Sequence, residues 1–332
     1  MPLKWGIASA GKISHDFVNA VGTLSDNDHN VVAVGARDLN RAREFAELHN
    51  IDKYYSSYEE LANDSNVDVV YIGVLNPQHY SVAMLMLENG KHVLCEKPLC
   101  MNEKEVKKLV AYAERKKLFL MEAIWSRFFP SYQYLRKQIN NGMLGEIQEV
   151  HCSFGFPLDD VDRLAKKELG GGTILDLGVY TIQICQWVFQ QPPKKIEATG
   201  TLNSDGVDMT MKATLTYSDN SFASIETSAT TKLVNEAVIK GTKGTITLPD
   251  FWSPPILVDI DGVKKTWPLP EGKHKYNFVN SSGLRYEAEE VRQCIQNGLI
   301  QSSIVSHNES LIIANIEDEI RKQIGVVYSA DA

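Results

Sequence analysis

Two spacings of apolar residues alternate along the first third of the chain. Short runs rich in β-branched residues, at Leu3–Ala8, Val31–Ala36, Lys53–Tyr55, Val67–Val74, His92–Cys95 and Leu118–Met121, are separated by longer stretches with apolar residues every three or four positions. Val82, Leu85 and Met86 form one such stripe, and Val106, Leu109, Val110 and Ala113 another. Strand and helix periods in that alternation predict βαβ units around a parallel sheet buried on both faces. Two helical stretches open on a side-chain acceptor followed three residues later by an acid, Ser57 with Glu60 and Asn102 with Glu105. That spacing predicts capping boxes. Residues 1–122 therefore read as an N-terminal, doubly wound Rossmann-type domain in an α/β protein.

After a transitional stretch, 122–145, strands follow one another. Ile147–Phe156, Lys195–Leu202, Met209–Tyr217, Phe222–Thr230, Asn235–Lys240 and Thr245–Leu248 are short, rich in Thr and Ile, and partly alternating. Ser218-Asp219-Asn220-Ser221 and Gly241-Thr242-Lys243-Gly244 supply turn chemistry between them. A mainly antiparallel sheet is expected over residues 123–332, with one face available for packing or for a partner. Helical patterns at Thr173–Phe189, Leu284–Asn297 and Glu309–Ile324 complete that C-terminal α/β domain, and residues 249–283, rich in Pro, Gly and Asn, read as extended loop.

Composition narrows the function classes. A net charge of −8 over 332 residues argues against nucleic acid or an anionic membrane surface as partner. No apolar run approaches the roughly 20 residues that span a bilayer, and the first residues lack the apolar core of a signal peptide. Five cysteines, with no C-x-x-C pair and no zinc-like His spacing, read as reduced thiols of a cytoplasmic protein without a metal.

The candidate chemistry sits at predicted strand ends. Aligned on the first strand-to-helix turn, the dinucleotide fingerprint G-x-G-x-x-G falls on Ser9, Gly11 and Ser14, so only its middle glycine is present. Gly11, followed by Lys12 and Ile13, still stands where backbone must approach a pyrophosphate at a helix N-terminus; the plain alternative is an ordinary β-to-α turn. At the second strand tip, Ala36 occupies the place of the carboxylate that usually accepts ribose hydroxyls, and Arg37 and Arg41 follow. Arginines there pair with a 2′-phosphate, which favours NADP over NAD. Asp38 reads as a helix cap. After the fourth strand comes Leu75-Asn76-Pro77-Gln78-His79, where Pro77 pushes Asn76 toward an extended conformation, and His79 either contacts cofactor or caps the next helix. Cys95-Glu96-Lys97-Pro98 ends the fifth strand, and packing explains a lysine there poorly, so Lys97 leads the candidates.

In the second half, Gly170-Gly171-Gly172 opens a helix carrying Asp176 and Tyr180. Four residues apart, the two project about 40° from one another on an α-helix. Tyr180 can relay a proton once a cation lowers its ordinary pKa, and Lys97 is the candidate cation.

The strand-turn start, Glu96-Lys97-Pro98, the Gly-Gly-x-x-x-Asp-x-Gly helix opening and Gly241-Thr242-Lys243-Gly244 together resemble the glucose-fructose oxidoreductase / inositol dehydrogenase (Gfo/Idh/MocA) family over the whole chain. Leu120–Pro130, and Tyr180 where most members carry His, resemble the branch that oxidises trans-dihydrodiols of aromatics or D-xylose with NADP. The resemblance implies an NADP-binding Rossmann domain, then a substrate-binding domain with a large open sheet through which two copies dimerise. It also implies Lys97 and Tyr180 as the catalytic pair, assisted by Asp176, with Ser9, Gly11, Lys12, Ile13, Arg37, Arg41, Leu75, Asn76, His79, Glu96 and Lys97 on the cofactor. Trp125 and Phe154 are candidate apolar walls for a cyclic substrate, or ordinary packing. Gln183 departs from the family's acid at that position. The expected reaction is hydride transfer from a secondary alcohol, with Tyr180 taking the hydroxyl proton and a ketone or lactone as product. The alternatives are a non-catalytic NADP-binding regulator of the same fold and a related sugar or inositol dehydrogenase.

Overall fold

The computed structural model describes residues 1–218 and 220–332, which gather into two compact units. The first contains Met1–Cys100, Lys104–Phe128 and Leu269–His307; the second contains Met101–Glu103, Phe129–Pro268 and Asn308–Ala332. A later segment, residues 269–307, thus returns to the first unit.

Six parallel strands form the first unit's sheet: β1 (Leu3–Ala8), β2 (His29–Gly35), β3 (Lys53–Tyr55), β4 (Val69–Ile72), β5 (His92–Glu96) and β6 (Leu120–Ala123). Their order is β3-β2-β1-β4-β5-β6. Helices α1 (Lys12–Val21), α2 (Leu39–His49), α3 (Tyr58–Asn63), α4 (His79–Glu88) and α5 (Glu103–Lys116) connect them. All four residues of β4 are buried, as a central parallel strand requires, and those of the edge strand β6 are buried too. The order reverses between β1 and β4, and doubly wound sheets bind ligands at the carboxyl ends flanking such a reversal.

Strand β4 is shorter than the predicted Val67–Val74: the N–H of Val67 closes a turn onto Asp64 O at 3.1 Å, and the strand stops before Gly73. A local polar group also redraws the Ser57 cap. Ser57 Oγ accepts the Glu60 N–H, but the Glu60 carboxylate reaches Ser56 N–H and Oγ–H rather than Ser57. The Asn102 amide donates to Ala330 O and Asp331 Oδ1, and the N–H of Glu103 is taken by Asp318.

The returning segment closes over α1. Asp16, fully buried, accepts the N–H groups of Asn277 and Phe278 and the Asn277 side-chain amide at 2.8–3.1 Å. Asn19 accepts the His274 N–H and donates to the His274 carbonyl. The helix Leu284–Gln296 packs on α1 and carries Glu289 to His29 at 3.0 Å. The N–H of Leu120 on β6 donates to Ile300 O.

The second unit holds an eight-stranded sheet. Helix α6 (Pro130–Asn140) leads to β7 (Ile147–Gly155), the short α7 (Asp162–Ala165) and α8 (Val179–Phe189). Then come β8 (Lys195–Leu202), β9 (Asp208–Ser218), β10 (Ser221–Ser228), β11 (Glu236–Gly241), β12 (Gly244–Pro249), β13 (Ile256–Val258) and β14 (Lys264–Thr266), in the order β14-β13-β12-β11-β7-β10-β9-β8. Among the described residues only the β7/β10 pair is parallel. Strands β13 and β14 lie in the segment read as loop; at three residues each they are too short to show alternation. Thr242-Lys243 form the two-residue turn of the β11/β12 hairpin, and a Cβ on Gly241 would stand 2.1 Å from Leu144 O. The β9–β10 turn contains Asp219, which lies outside the described residues.

One face of this sheet, with Val150, Cys152, Phe154, Ala213, Leu215, Ile225 and Ile239, is buried, and α8 packs on it. Every residue of α8 from Val179 to Val188 is buried. At roughly 1.5–3 kcal/mol for each large aliphatic or aromatic side chain, that contact ranks among the unit's larger stabilising terms. Among the described residues no helix is long and apolar enough to cross a membrane.

Candidate active site

In the first unit the candidate residues converge on the carboxyl ends of β1, β2, β4 and β5. Ser9 follows β1 with φ 104°, a left-handed conformation that favours glycine, so Ser9 does the work of the fingerprint's first Gly while keeping its side chain. Gly11 is the N-cap of α1, with no side-chain cap and no acid in the first turn, which leaves the N-terminal amides for an external acceptor. A Cβ on Gly11 would meet Ser9 Oγ at 3.3 Å. At the third fingerprint position Ser14 is fully buried, and the space a glycine would provide comes instead from Gly73 after β4. A Cβ on Gly73 would stand 2.6 Å from Ser14 Oγ and 3.2 Å from Ile13 Cγ2.

Arg37 and Arg41 are exposed past the end of β2, and both act electrostatically on Tyr58. Arg41 also donates to Ala10 O at 3.4 Å. Asp38 caps α2 through the N–H groups of Asn40 and Arg41, so its carboxylate is engaged there. A groove of about 640 Å³ lined by Arg37, Ser57, Tyr58, Gln78, Ser81 and Leu85 adjoins them.

Pro77 shifts the expected extended residue by one. Leu75 is extended (φ −74°, ψ 149°), whereas Asn76 begins a short 3₁₀ turn. His79 is buried, its Nδ1 2.7 Å from Pro98 O and its Nε2 3.1 Å from Val74 O. Burial, with some help from the Lys97 charge, holds this imidazole below the ordinary histidine pKa. A neutral ring has one N–H, and the shorter contact assigns it to Nδ1 and Pro98. His79 thus ties the two strand-end loops together through the main chain.

The Lys97 loop is pinned at each step. Glu96, buried, accepts the Tyr71 hydroxyl at 2.5 Å and the Lys97 N–H at 3.3 Å. Glu122 on β6 accepts the Leu99 N–H at 2.9 Å, and the Lys97-Pro98 peptide is cis. Trp125 lies buried in a 3₁₀ turn, 125–128.

In the second unit the expected α-helix from Thr173 begins instead as a π turn, Ile174–Gly178, in which the N–H of Val179 donates to Ile174 O. The α-helical angle between Asp176 and Tyr180 therefore does not apply. Asp208 sets this turn: its buried Oδ2 accepts Thr173 Oγ1–H and Ile174 N–H, both at 2.7 Å. Tyr328 donates its hydroxyl to Gly171 O. Gly172 has φ 110°, and a Cβ there would stand 2.3 Å from Asp208 Oδ1. Such π turns recur at functional sites.

What joins Asp176 and Tyr180 is Arg163, from α7. Its Nη1 lies 2.7 Å from Asp176 Oδ1, and the Asp176 charge first, then Tyr180 more weakly, stabilise the guanidinium. Nothing in the spacing of residues 157–169 singles out Arg163. Tyr180, almost buried, meets Phe154 edge-on at 5.6 Å. Phe154 stacks on half-exposed Trp252 at 4.4 Å and meets Phe156 at 5.8 Å. The sequence reading missed Trp252, although an adjacent aromatic pair, Phe251-Trp252, in an otherwise polar loop was the available signal. Gln183 donates to the Tyr132 hydroxyl, which donates to Phe251 O, so it positions this aromatic corner. Chemically, the second unit offers a phenol, a carboxylate and a guanidinium beside an aromatic wall. Among the described residues no cluster of His, Cys, Asp or Glu could hold a metal.

Residues 3–124 match the family model "Oxidoreductase family, NAD-binding Rossmann fold" (GFO_IDH_MocA), and residues 132–247 match the "GFO/IDH/MocA C-terminal domain". A protein of Danio rerio named trans-1,2-dihydrobenzene-1,2-diol dehydrogenase is 47% identical over 334 residues, covering 100% of both chains. Its Homo sapiens namesake is 44% identical over 100% of this chain and 99% of its own. A 3-ketoreductase from Actinomadura kijaniata, solved with NADP and TDP-benzene, superposes with a TM-score of 0.82 at 22% identity, covering 98% of each chain. At that identity the superposition speaks for the fold alone.

Proposed function

The chain belongs to the GFO/IDH/MocA oxidoreductase family, and from that premise we propose that it is an NADP-dependent dehydrogenase of aromatic trans-dihydrodiols, with D-xylose, oxidised to its lactone, as a second substrate class. The observation that carries this reading is the aromatic wall of Phe154, Phe156 and Trp252 beside Tyr180, Asp176 and Arg163. A flat ring stacks on such a wall while its hydroxyls reach polar groups. The names of the two relatives reported above agree with a trans-dihydrodiol as substrate.

The residues at the β1 and β2 ends suit NADP. The uncapped N-terminus of α1 with Gly11, Lys12 and Ile13 would hold the pyrophosphate, and the conformation of Ser9 leaves the turn open for it. Arg37 and Arg41 would pair with the 2′-phosphate, since Asp38 is spent on its cap. Leu75, Asn76 and the Glu96–Lys97 turn would flank the nicotinamide end, with His79 bracing that turn rather than touching the cofactor. NADP, when bound, supplies the acceptor for a hydride from the carbinol carbon. Tyr180 takes the hydroxyl proton, and Lys97 stabilises the deprotonated phenol. Asp176, fixed by Arg163, orients a substrate hydroxyl. Phe154 and Trp252 set the plane of the ring, while buried Trp125 supports the 3₁₀ turn.

On this reading residues 1–122 carry nucleotide binding, and 123–332 substrate binding and dimerisation. The sheet face opposite α8 presents Thr210, Thr214, Phe222, Ser224 and Val238, which are half-buried or exposed and suited to a second copy of the chain. Five free, buried cysteines agree with a reducing cytoplasm.

The test follows nicotinamide reduction with NADP and with NAD against trans-dihydrodiols, pentoses, hexoses and inositol. Turnover of dihydrodiols with NADP is expected, reduced about 10²–10⁴-fold in Lys97→Met and in Tyr180→Phe with NADP affinity retained. Unchanged turnover in either variant refutes the assigned pair. Tight NADP binding without turnover across the panel refutes the enzyme.

A further inference from the structure

Residues 326–331 follow the helix His307–Ile324 and are held against the second unit by polar contacts. Arg321, buried on that helix, donates to Asp331 Oδ2 at 2.8 Å, and its guanidinium lies 5.1 Å from the centre of the Tyr328 ring. Asp331 also accepts the Tyr328 N–H at 2.8 Å and shares the Asn102 amide with Ala330 O. These bonds seat Tyr328, which is buried. Its ring belongs to one apolar cluster with Leu164 and Leu175, and its hydroxyl donates to Gly171 O. Burial raises this phenol above the ordinary tyrosine range, so it keeps the proton that it donates.

Gly171 is where the loops on the substrate side meet. Its N–H donates to Lys166 O at 3.0 Å, and the Gly172 N–H donates to Leu164 O at 2.8 Å, which ties the glycine turn to α7. No side chain fits there: a Cβ on Gly171 would stand 2.4 Å from Leu164 O. Leu164 adjoins Arg163 in the chain, and Leu175 adjoins Asp176. Tyr328 thus joins, through one ring and one hydroxyl, the two pieces of backbone that carry the Arg163–Asp176 ion pair. That pair is open to water on the arginine side, where the Arg163 side chain is 42% exposed. An ion pair so placed is too weak to fix its own geometry, which must come from the backbone beneath it.

We propose that Tyr328 is a positioning residue for the dehydrogenation: it fixes α7 and the π turn against each other and so sets Asp176, with Arg163, for the substrate hydroxyl. The inference rests on the role given to Asp176 above. Tyr328 has no place on substrate or cofactor; it acts through Gly171 and the two leucines.

The experiment uses the full-length protein and Tyr328→Phe, which keeps the ring and removes the hydroxyl. A double-mutant cycle with Asp176→Asn is assayed with NADP and a trans-dihydrodiol, well below the melting temperature. Asp176→Asn keeps Lys97 and Tyr180, so turnover remains to be measured. Tyr328→Phe alone should lower kcat about tenfold with KM for NADP unchanged. Once residue 176 is Asn it should cost nothing further, whereas a general loss of support would cost the same in both backgrounds. A second readout needs no turnover: Arg163 should react with phenylglyoxal, followed by mass spectrometry, severalfold faster in Tyr328→Phe and about as fast as in Asp176→Asn. Should Tyr328→Phe fail to fold, Asp331→Asn, which loosens the same segment from its exposed side, takes its place. Full kcat in the single variant, equal loss in both backgrounds, or an unchanged arginine rate overturns the proposal. If the parent turns over no dihydrodiol or sugar, the dehydrogenase reading fails on its own. The arginine rate then still decides whether Tyr328 sets the ion pair.

Discussion

Asp208 offers the sharpest quantitative test of how the π turn at Asp176 is held. Its carboxyl is buried, accepts Thr173 Oγ1–H and Ile174 N–H on Oδ2, and has no partner on Oδ1 among the described residues. Burial outweighs those donors and moves the group from the ordinary 3.8 up to about 6. At 1.36 kcal/mol per pKa unit, the difference of 2.2 amounts to about 3 kcal/mol against the folded state. An acid raised on folding binds more protons folded than unfolded between pH 3.8 and 6, so stability falls as pH rises through that window and the full cost stands above it. From pH 4.5 to 7.5 about 2 kcal/mol of it accrues. Asp208→Asn keeps an oxygen for both donors and cannot ionise. Urea unfolding followed by tryptophan fluorescence should therefore show the variant gaining about 2 kcal/mol on the parent between pH 4.5 and 7.5, whatever the offset at one pH. A difference that is flat or shrinks with pH refutes the reasoning.

Three further predictions concern the nucleotide turn and the aromatic wall. Gly73→Ala should cost about 1–3 kcal/mol, because the new methyl strikes Ser14 Oγ, and adding Ser14→Ala should recover part of it in a double-mutant cycle by urea unfolding; strict additivity would sink the idea. Replacing both Arg37 and Arg41 by Ala should weaken NADP about ten- to a hundredfold by calorimetry and leave NAD nearly unchanged; equal effects on the two would assign the arginines another role. Trp252→Ala should raise KM for an aromatic dihydrodiol about tenfold with little effect on D-xylose, and a uniform loss would count against the wall.

The architecture was legible because its periods are long and its strands buried: β1, β3 and β8 match the predicted spans, the other predicted strands differ by a few residues at their ends, and β13 and β14 lie in the stretch read as loop. The candidate cofactor turn was legible only in part. The fingerprint looked weak at Ser9 and Ser14 because its geometry is met by a left-handed serine and by Gly73, 59 residues after Ser14, and a linear pattern records neither. Arg163 was invisible for a related reason, and Trp252 was signalled only by its neighbour Phe251. Arg163 lies on a one-turn helix and Trp252 in a loop, and the neighbours of both in space are set by tertiary packing. The π turn escaped too, since Thr173–Phe189 has helical periodicity throughout and the distortion comes from Asp208, a residue of β9. Glu60 shows how a nearby polar group redirects a correctly spotted capping signal.

The return of residues 269–307 to the first unit bears on the order in which the protein is made. Asp16 leaves the ribosome early, whereas the amides that satisfy it belong to Asn277 and Phe278, 261 and 262 residues later. At 5–20 residues per second the nascent nucleotide unit waits roughly 13–50 s with a carboxylate destined for burial still lacking its donors. Its sheet is completed long before its closing segment is synthesised. Translation speed through the second unit thus becomes a variable in the maturation of the first, and no contiguous piece ending at residue 128 contains everything that the first unit is built from.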